Sequence, residues 1–276
     1  MVELIYEGSN GEKINLMGSG VYAQNPEVLA GNRWSYTTQS IEDIGMIESF
    51  SKDVTEQSLL LSIMHMDRNS FNYSMERMHK CFDRDIRRKE PGKLWWNGFY
   101  KKVFIIDSSY TEFEEEFDSI EKTVVVASAT PYWTKERNIR LRPSASDEGR
   151  MDYPVDYGFD YDIGIAMVSE RNECIWDCDF RICFFGPFDN PEMSVNGHVY
   201  RVYESLSDGD RIIINSRDKT IKKIDSYGNE TNVFHSRDRE SYIFEKIPEG
   251  PLSIDKPHSL DAELTLLDER GEPVWI

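Results

Sequence analysis

From residue 186 onward the chain is interrupted about every ten residues by groups that favour turns. They are Gly186-Pro187, Asn196-Gly197, Asp208-Gly209, Ser216 to Lys219, Tyr227-Gly228-Asn229, Pro248-Glu249-Gly250-Pro251 and Arg270-Gly271. Glycine and asparagine tolerate the positive φ that tight turns require, and proline withdraws an amide donor from any continuing ladder. Short apolar runs lie between the turns, among them Val199 to Val202, Arg211 to Ile214 and Leu264 to Leu267. Evenly spaced short strands predict a β-sandwich, with no amphipathic helix required in this part.

The first half carries a different pattern. Ser58 to Met66 is an apolar run short enough for a buried strand. Beyond it Phe71, Met75, Met78, Phe82 and Ile86 recur at steps of four, three, four and four, the single stripe of a helix lying on a sheet. Ser70 is the expected N-cap, Glu76 with Lys80 and Asp83 with Arg87 form i,i+4 pairs on the outer face, and Pro91-Gly92 ends the helix. Asn97-Gly98 then sits between the aromatic runs Trp95-Trp96 and Phe99-Tyr100, a strong signal for a type I′ hairpin. Thr123 to Ala127 supplies a further strand, and Thr130-Pro131-Tyr132-Trp133 follows.

Charge divides the chain. Through Arg142 there are 22 acids against 18 bases, and beyond it 28 against 14, so the net charge of −18 is split as −4 and −14. Near that point the step Asp-Tyr recurs at Asp152-Tyr153, Asp156-Tyr157 and Asp160-Tyr161, with Pro154 and Gly158 excluding a regular helix. The expectation is a domain at 1–142 and another at 143–276. The acidic balance argues against nonspecific binding to nucleic acid or to an anionic membrane surface. No run approaches the ~20 apolar residues that cross a bilayer, and Met1 to Glu7 has neither the basic nor the apolar region of a signal peptide. A chain made and folded in a cytoplasm is expected.

The chemistry-bearing residues form no catalytic pattern. There is no GxSxG elbow, P-loop, GxGxxG after a strand, or HExxH, and His65, His79, His198, His235 and His258 are scattered. Cys174, Trp176, Cys178, Phe180, Ile182 and Phe184 alternate with mostly polar neighbours, which predicts one half-buried strand over 174–184 with Cys174 and Cys178 in the core and Cys183 on the other face. The spacing of those cysteines lacks the companion pair of a structural zinc site. Asp152, Asp156, Asp160 and Asp162 offer oxygens but lack the turn glycine and closing glutamate of a calcium loop. Tyr153, Tyr157 and Tyr161 are candidates for stacking on sugars, so a carbohydrate-binding module recognising host cell-wall saccharide is the alternative function. No catalytic, cofactor-binding or metal-ligating residue is assigned.

The order of these elements resembles that of the distal tail proteins of long-tailed, non-contractile bacteriophages and prophages. The resemblance is carried by the 58–66 strand, the helix from Phe71 to Lys89, Pro91-Gly92-Lys93-Leu94-Trp95, the hairpin at Asn97-Gly98, Pro131-Tyr132-Trp133 and the 152–162 seam. Downstream it is carried by Asp179-Phe180-Arg181-Ile182, Gly186-Pro187, Asn190-Pro191, and Gly209 to Arg217 with Thr220-Ile221. It implies a mainly β protein with one long helix: an N-terminal ring-forming β domain backed by the helix, and a C-terminal galectin-like, carbohydrate-binding-module-like β-sandwich. It further implies a non-enzymatic structural hub of the tail tip, ringed as a homo-hexamer, that joins the major tail tube protein to a tail-associated tip protein and to receptor-binding proteins or a tail fibre. Assembly in the bacterial host cytoplasm and residence in the virion follow from the same resemblance.

Overall fold

The computed structural model describes residues 2–41, 43–114, 119–143 and 165–275. The Asp-Tyr seam, the four aspartates weighed for calcium and the three tyrosines weighed for sugar all lie outside the described residues. The protein is mainly β, with one α-helix among those described. Two compact units are formed, one by Met1–Lys135 with Glu269–Ile276, the other by Glu136–Asp268.

The first unit contains β1 (Leu4–Glu7), β2 (Lys13–Asn15), β3 (Val21–Ala23), β4 (Ser35–Ile41), β5 (Ile44–Ser51), β6 (Glu56–Met64), helix α1 (Arg68–Arg88), β7 (Gly92–Trp96), β8 (Phe99–Glu114), β9 (Ser119–Ser128) and the start of β10 (Trp133–Leu141). Its main sheet is antiparallel in the order β3-β6-β9-β8-β7-β1-β2. The two outermost strands are only three residues long. Between them Leu16 donates its N–H to the Leu4 carbonyl at 2.9 Å, and Ala23 donates to the Leu16 carbonyl at 2.7 Å, so the ends of the sheet are tied together. Such tying removes the long unpaired edges through which sheets aggregate.

Strand β6 buries Leu59, Leu61 and Ile63 at alternate positions, as a half-buried strand must. Asn97 and Gly98 hold φ of 45° and 81° and join β7 to β8 with Trp96 opposite Phe99, the expected type I′ hairpin.

Helix α1 buries Phe71, Met78 and Phe82, and Glu76 meets Lys80 at 2.6 Å on the outer face. Two particulars differ from the sequence reading. The N-cap is Asp67 instead of Ser70: Asp67 is extended and its carboxylate accepts from the Ser70 N–H at 2.8 Å, which places Ser70 inside the first turn. Ile86 is exposed, because the buried position near the end of the helix belongs to Asp85. The helix closes with Lys89 at φ 57°, its own N–H and that of Glu90 bonding back to the Ile86 and Asp85 carbonyls, just before Pro91.

Asp85 is fully buried. Its Oδ2 accepts from the Tyr6 hydroxyl at 2.5 Å and its Oδ1 from the Ser9 N–H at 2.9 Å, which fastens the helix to β1 and the loop after it. Tyr6 also meets Phe82 edge-on at 5.0 Å. Gly92 passes so close that a Cβ there would fall 2.5 Å from the Tyr6 hydroxyl and 2.9 Å from the Asp85 carboxylate. Burial, followed by the hydrogen bond to Asp85, raises the Tyr6 pKa well above that of a free tyrosine.

The second unit is a two-layer sandwich. It contains the rest of β10 and β11 (Ile165–Asn172), β12 (Asp179–Phe185), β13 (Phe188–Asp189), β14 (Glu192–Val195), β15 (His198–Arg201), β16 (Ser205–Leu206), β17 (Arg211–Asn215), β18 (Thr220–Ile224), β19 (Glu230–Asn232), β20 (Gly250–Pro257) and most of β21 (Asp261–Arg270). One layer runs β19-β18-β17-β12-β21-β10 and the other β11-β20-β14-β15, with β13 paired to β16. Phe180, Ile182, Phe184, Ile212, Ile214, Leu264 and Leu266 from the first layer share one core with Met193, Val195, Tyr200, Leu252 and Ile254 from the second. Phe180 and Tyr200 meet across the layers edge-on at 4.9 Å.

Turn chemistry again places the strands. Asn196 and Gly197 take φ of 50° and 84° between β14 and β15. Asp210 accepts from the N–H groups of Ser207 and Ser226, at 3.1 and 3.2 Å, and so staples two turns. The strand expected over 174–184 begins only at Asp179. Cys174 and Cys178 are buried as expected, but they bracket a loop from which Trp176 emerges 40% exposed.

Two outcomes follow for stability. Asp85→Ala leaves the Tyr6 hydroxyl and the Ser9 N–H buried without an acceptor, and costs about 3 kcal/mol in urea unfolding. Lys122 of β9 is buried against His79 at 2.7 Å, and burial pushes its pKa from 10.5 down to about 8. The folded state therefore disfavours its charged form. That penalty is full below pH 8 and gone above 10.5, so Lys122→Met stabilises at pH 7, by at most about 3 kcal/mol. The advantage shrinks to nothing as melting is followed upward through that window.

Candidate functional site

Strands β4 and β5 form a two-stranded ribbon that pairs with no other strand among the described residues. Tyr36 stands opposite Phe50, Thr38 opposite Ile47 and Gln39 opposite Met46, with a register shift between Thr37 and Thr38. A lone ribbon has no second layer to cover its side chains and is marginal by itself in water. Tyr36, Ile44, Met46, Ile47 and Phe50 are accordingly each 53 to 68% exposed. Large apolar side chains gathered on one exposed element mark an interaction surface, and both outer edges of the ribbon are unpaired among the described residues.

The base of the ribbon is clamped. Trp34 meets Phe50 at 6.4 Å and Tyr132 at 6.3 Å, both edge-on. The Lys52 ammonium lies 5.0 Å from the Trp34 ring and 4.6 Å from the Tyr132 ring, and it also donates to the Asn32 side chain. Ser35 donates to the Asp53 carboxylate at 2.7 Å, and the Thr37 and Ser49 hydroxyls bond at 2.7 Å. Burial lowers the Lys52 pKa, and the nearby Glu272 carboxylate opposes that shift. The Pro131-Tyr132-Trp133 motif thus does two jobs: Tyr132 grips the ribbon, while Trp133 is buried in the core against Trp96 at 6.2 Å. Beneath the clamp Lys101 sits over Trp133 at 5.1 Å, its pKa pushed down to about 8 by burial and then by the Lys52 charge. Nothing in the sequence reading singled out this ribbon.

Three of the histidines make hydrogen bonds within the fold. His79 bonds Lys122 and Tyr110, His65 bonds Ser74 at 2.9 Å, and His198 lies against Ser241 and the Tyr242 carbonyl. Among the described residues no three His, Cys, Asp or Glu side chains cluster as a metal site would require. The sandwich carries a concavity of about 660 Å³ lined by Lys219, Phe234, Arg237 and residues 238–244.

No family model and no curated protein sequence matches the chain. Solved structures do. A chain of the phage P2 baseplate in its activated conformation with calcium matches with a TM-score of 0.66 at 15% identity, over 99% of this chain and 100% of that one. The same baseplate with strontium gives 0.65 at 15% identity, over 99% and 100%. The phage SPP1 Dit protein, described as a hub of the adsorption apparatus in phages that infect Gram-positive bacteria, gives 0.57 at 10% identity, over 98% and 99%. The chain has the fold of the phage distal tail hubs. Its similarity to them runs the full length of both chains and includes the helix-backed first unit and the sandwich.

The clamp makes a measurable difference to the ribbon. Trp34→Ala removes the ring between Phe50, Tyr132 and Lys52, so trypsin cuts after Lys52 several-fold faster in limited digestion, while the melting of the rest of the protein changes little.

Proposed function

We propose that this protein is a non-enzymatic structural hub of a phage tail tip, and that it assembles into a ring through the β4–β5 ribbon. The observation that carries this reading is the ribbon itself: two strand edges unpaired among the described residues and five large apolar side chains presented to solvent, on a fold shared with baseplate hubs. A second copy of the chain is the natural occupant. A ribbon that inserts into a different surface of its neighbour makes a head-to-tail contact, and such contacts close into rings when the rotation per subunit divides the circle. We place the ring at six subunits, stacked on the tail tube protein at one side and holding the tip protein and the receptor-binding apparatus at the other. The protein then works in the virion after assembly in the host cytoplasm.

The saccharide-binding alternative has less support. In the sandwich concavity cations already lie near the aromatic rings, with Lys219 5.3 Å from the Phe244 ring and 5.7 Å from the Tyr242 ring, and Arg237 4.1 Å from the Phe234 ring. A sugar that stacks on those faces competes with the cations.

The test is mass in solution. Light scattering of the full chain at rising concentration, alone and with tail tube protein, gives a discrete species of six subunits. Met46→Glu combined with Ile47→Glu, which touches only exposed positions outside the clamp and shifts stability by about 0.5 kcal/mol or less, holds the chain as a monomer. A wild-type chain that remains monomeric in both conditions, or a double variant that assembles as well as wild type, contradicts the proposal.

A further inference from the structure

Cys174 and Cys178 stand apart from the other cysteines. Both are buried in the sandwich core, at 9 and 2% exposure, and both are held by one side chain, Asn172. The Asn172 carboxamide accepts from the Cys174 N–H at 3.1 Å and donates to the Cys178 sulfur at 3.3 Å. Its nitrogen also reaches the carbonyls of Pro248 and Ile247, at 2.9 and 3.3 Å, so the asparagine is fixed to a second segment. Cys178 is further pinned by reciprocal backbone bonds to Ile247, at 2.9 and 3.1 Å. The two cysteine side chains hydrogen-bond each other, and that contact, helped by the bond from Asn172, lowers the Cys178 pKa against the opposing effect of burial. Cys81 and Cys183 show the reverse, each pushed up to about 11 by burial. Two thiols in contact can be joined by a small movement, and the lowered Cys178 pKa favours the thiolate that must complete the bond.

We propose that Cys174 and Cys178 form an intrachain disulfide when the protein meets an oxidising environment, closing the loop that carries Ile175 and Trp176. The oxidant is a small disulfide such as oxidised glutathione. Cys174, the more exposed of the two, attacks one of its sulfurs, forming a mixed disulfide and releasing one small thiolate. Cys178 then attacks the Cys174 sulfur, the protein S–S bond forms, and the second small thiolate leaves. Two electrons pass from the cysteines to the small disulfide, and the two thiol protons end on the two departing thiolates. The consequence is local. Ile175 and Trp176, 56 and 40% exposed, sit at the tip of a loop already anchored at both ends, and the crosslink fixes how that apolar tip is presented. The inference concerns the thiols themselves and does not rest on the hub reading.

Incubation of the purified full chain with oxidised glutathione, followed by denaturation, alkylation and peptide mass analysis, tests it. The expected result is loss of two alkylatable thiols, a 174–178 crosslink, and Cys81 and Cys183 still alkylated. Hydrogen exchange in residues 173–177 slows in the oxidised form. Cys178→Ser traps a glutathione adduct on Cys174 that does not resolve; should that variant misfold, Cys174→Ser serves instead and retains Cys178 without a crosslink. Four alkylatable thiols after oxidation, a persistent glutathione adduct on the wild-type chain, a disulfide-linked dimer, or unchanged exchange at 173–177 overturns the proposal.

Discussion

A buried carboxylate organises the first unit. Asp85 accepts from a side chain on β1 and from a backbone amide in the loop beyond it, so the helix cannot slide or rotate on the sheet without leaving one of these donors unsatisfied. Apolar contacts alone tolerate small shifts; a fully buried acceptor with two fixed donors does not. The Asp85 contact also explains two neighbouring choices: Ile86 is turned outward because Asp85 takes the inward position, and position 92 is glycine because the Tyr6 hydroxyl and the Asp85 carboxylate occupy the space a Cβ would fill. With the helix fixed, β7 and β8 follow through the Asn97-Gly98 turn, and the sheet closes through Leu16.

The main sheet of the first unit, its ends tied, has few free edges, whereas the β4–β5 ribbon pairs with no other strand among the described residues. The apolar side chains of that ribbon are exposed by geometry, because two strands make one layer. The clamp of Trp34, Tyr132 and Lys52 orders its base without covering its outer part. An element anchored at one end and uncovered along its length suits a subunit that is completed by a neighbour. The strongly acidic second half suits the same role, since like charge keeps assembled particles apart.

Much of this was legible in the residues. The stripe from Phe71 to Phe82, the Asn-Gly turns and the spaced strands of the sandwich are local signals, and local geometry honours them. The start of the helix was displaced because Asp67 and Ser70 are both capping residues three apart, and only the backbone angles decide between them. Alternation at 174–184 suggested a longer strand because burial, to which the pattern responds, is supplied at Cys174 and Cys178 by Asn172 and a loop instead of by a ladder. The ribbon gives no such signal for the opposite reason: the side chains of 36–40 and 43–51 are exposed, so no burial period is written into them, and the cluster of Tyr36, Ile44, Met46, Ile47 and Phe50 is the sign that remains. Asp85 was invisible as well, since a carboxylate on an apolar stripe reads as an interruption until its partners at Tyr6 and Ser9 are known.

The central claim is that the ribbon is covered by another subunit when the protein assembles. Hydrogen exchange of the amides in residues 35–51, compared between dilute monomer and assembled particle, tests it most directly. The account predicts that the outward-facing amides, open in the monomer, become protected on assembly while the core of the first unit is unchanged. Assembled particles whose 35–51 amides exchange as fast as those of the monomer would contradict it.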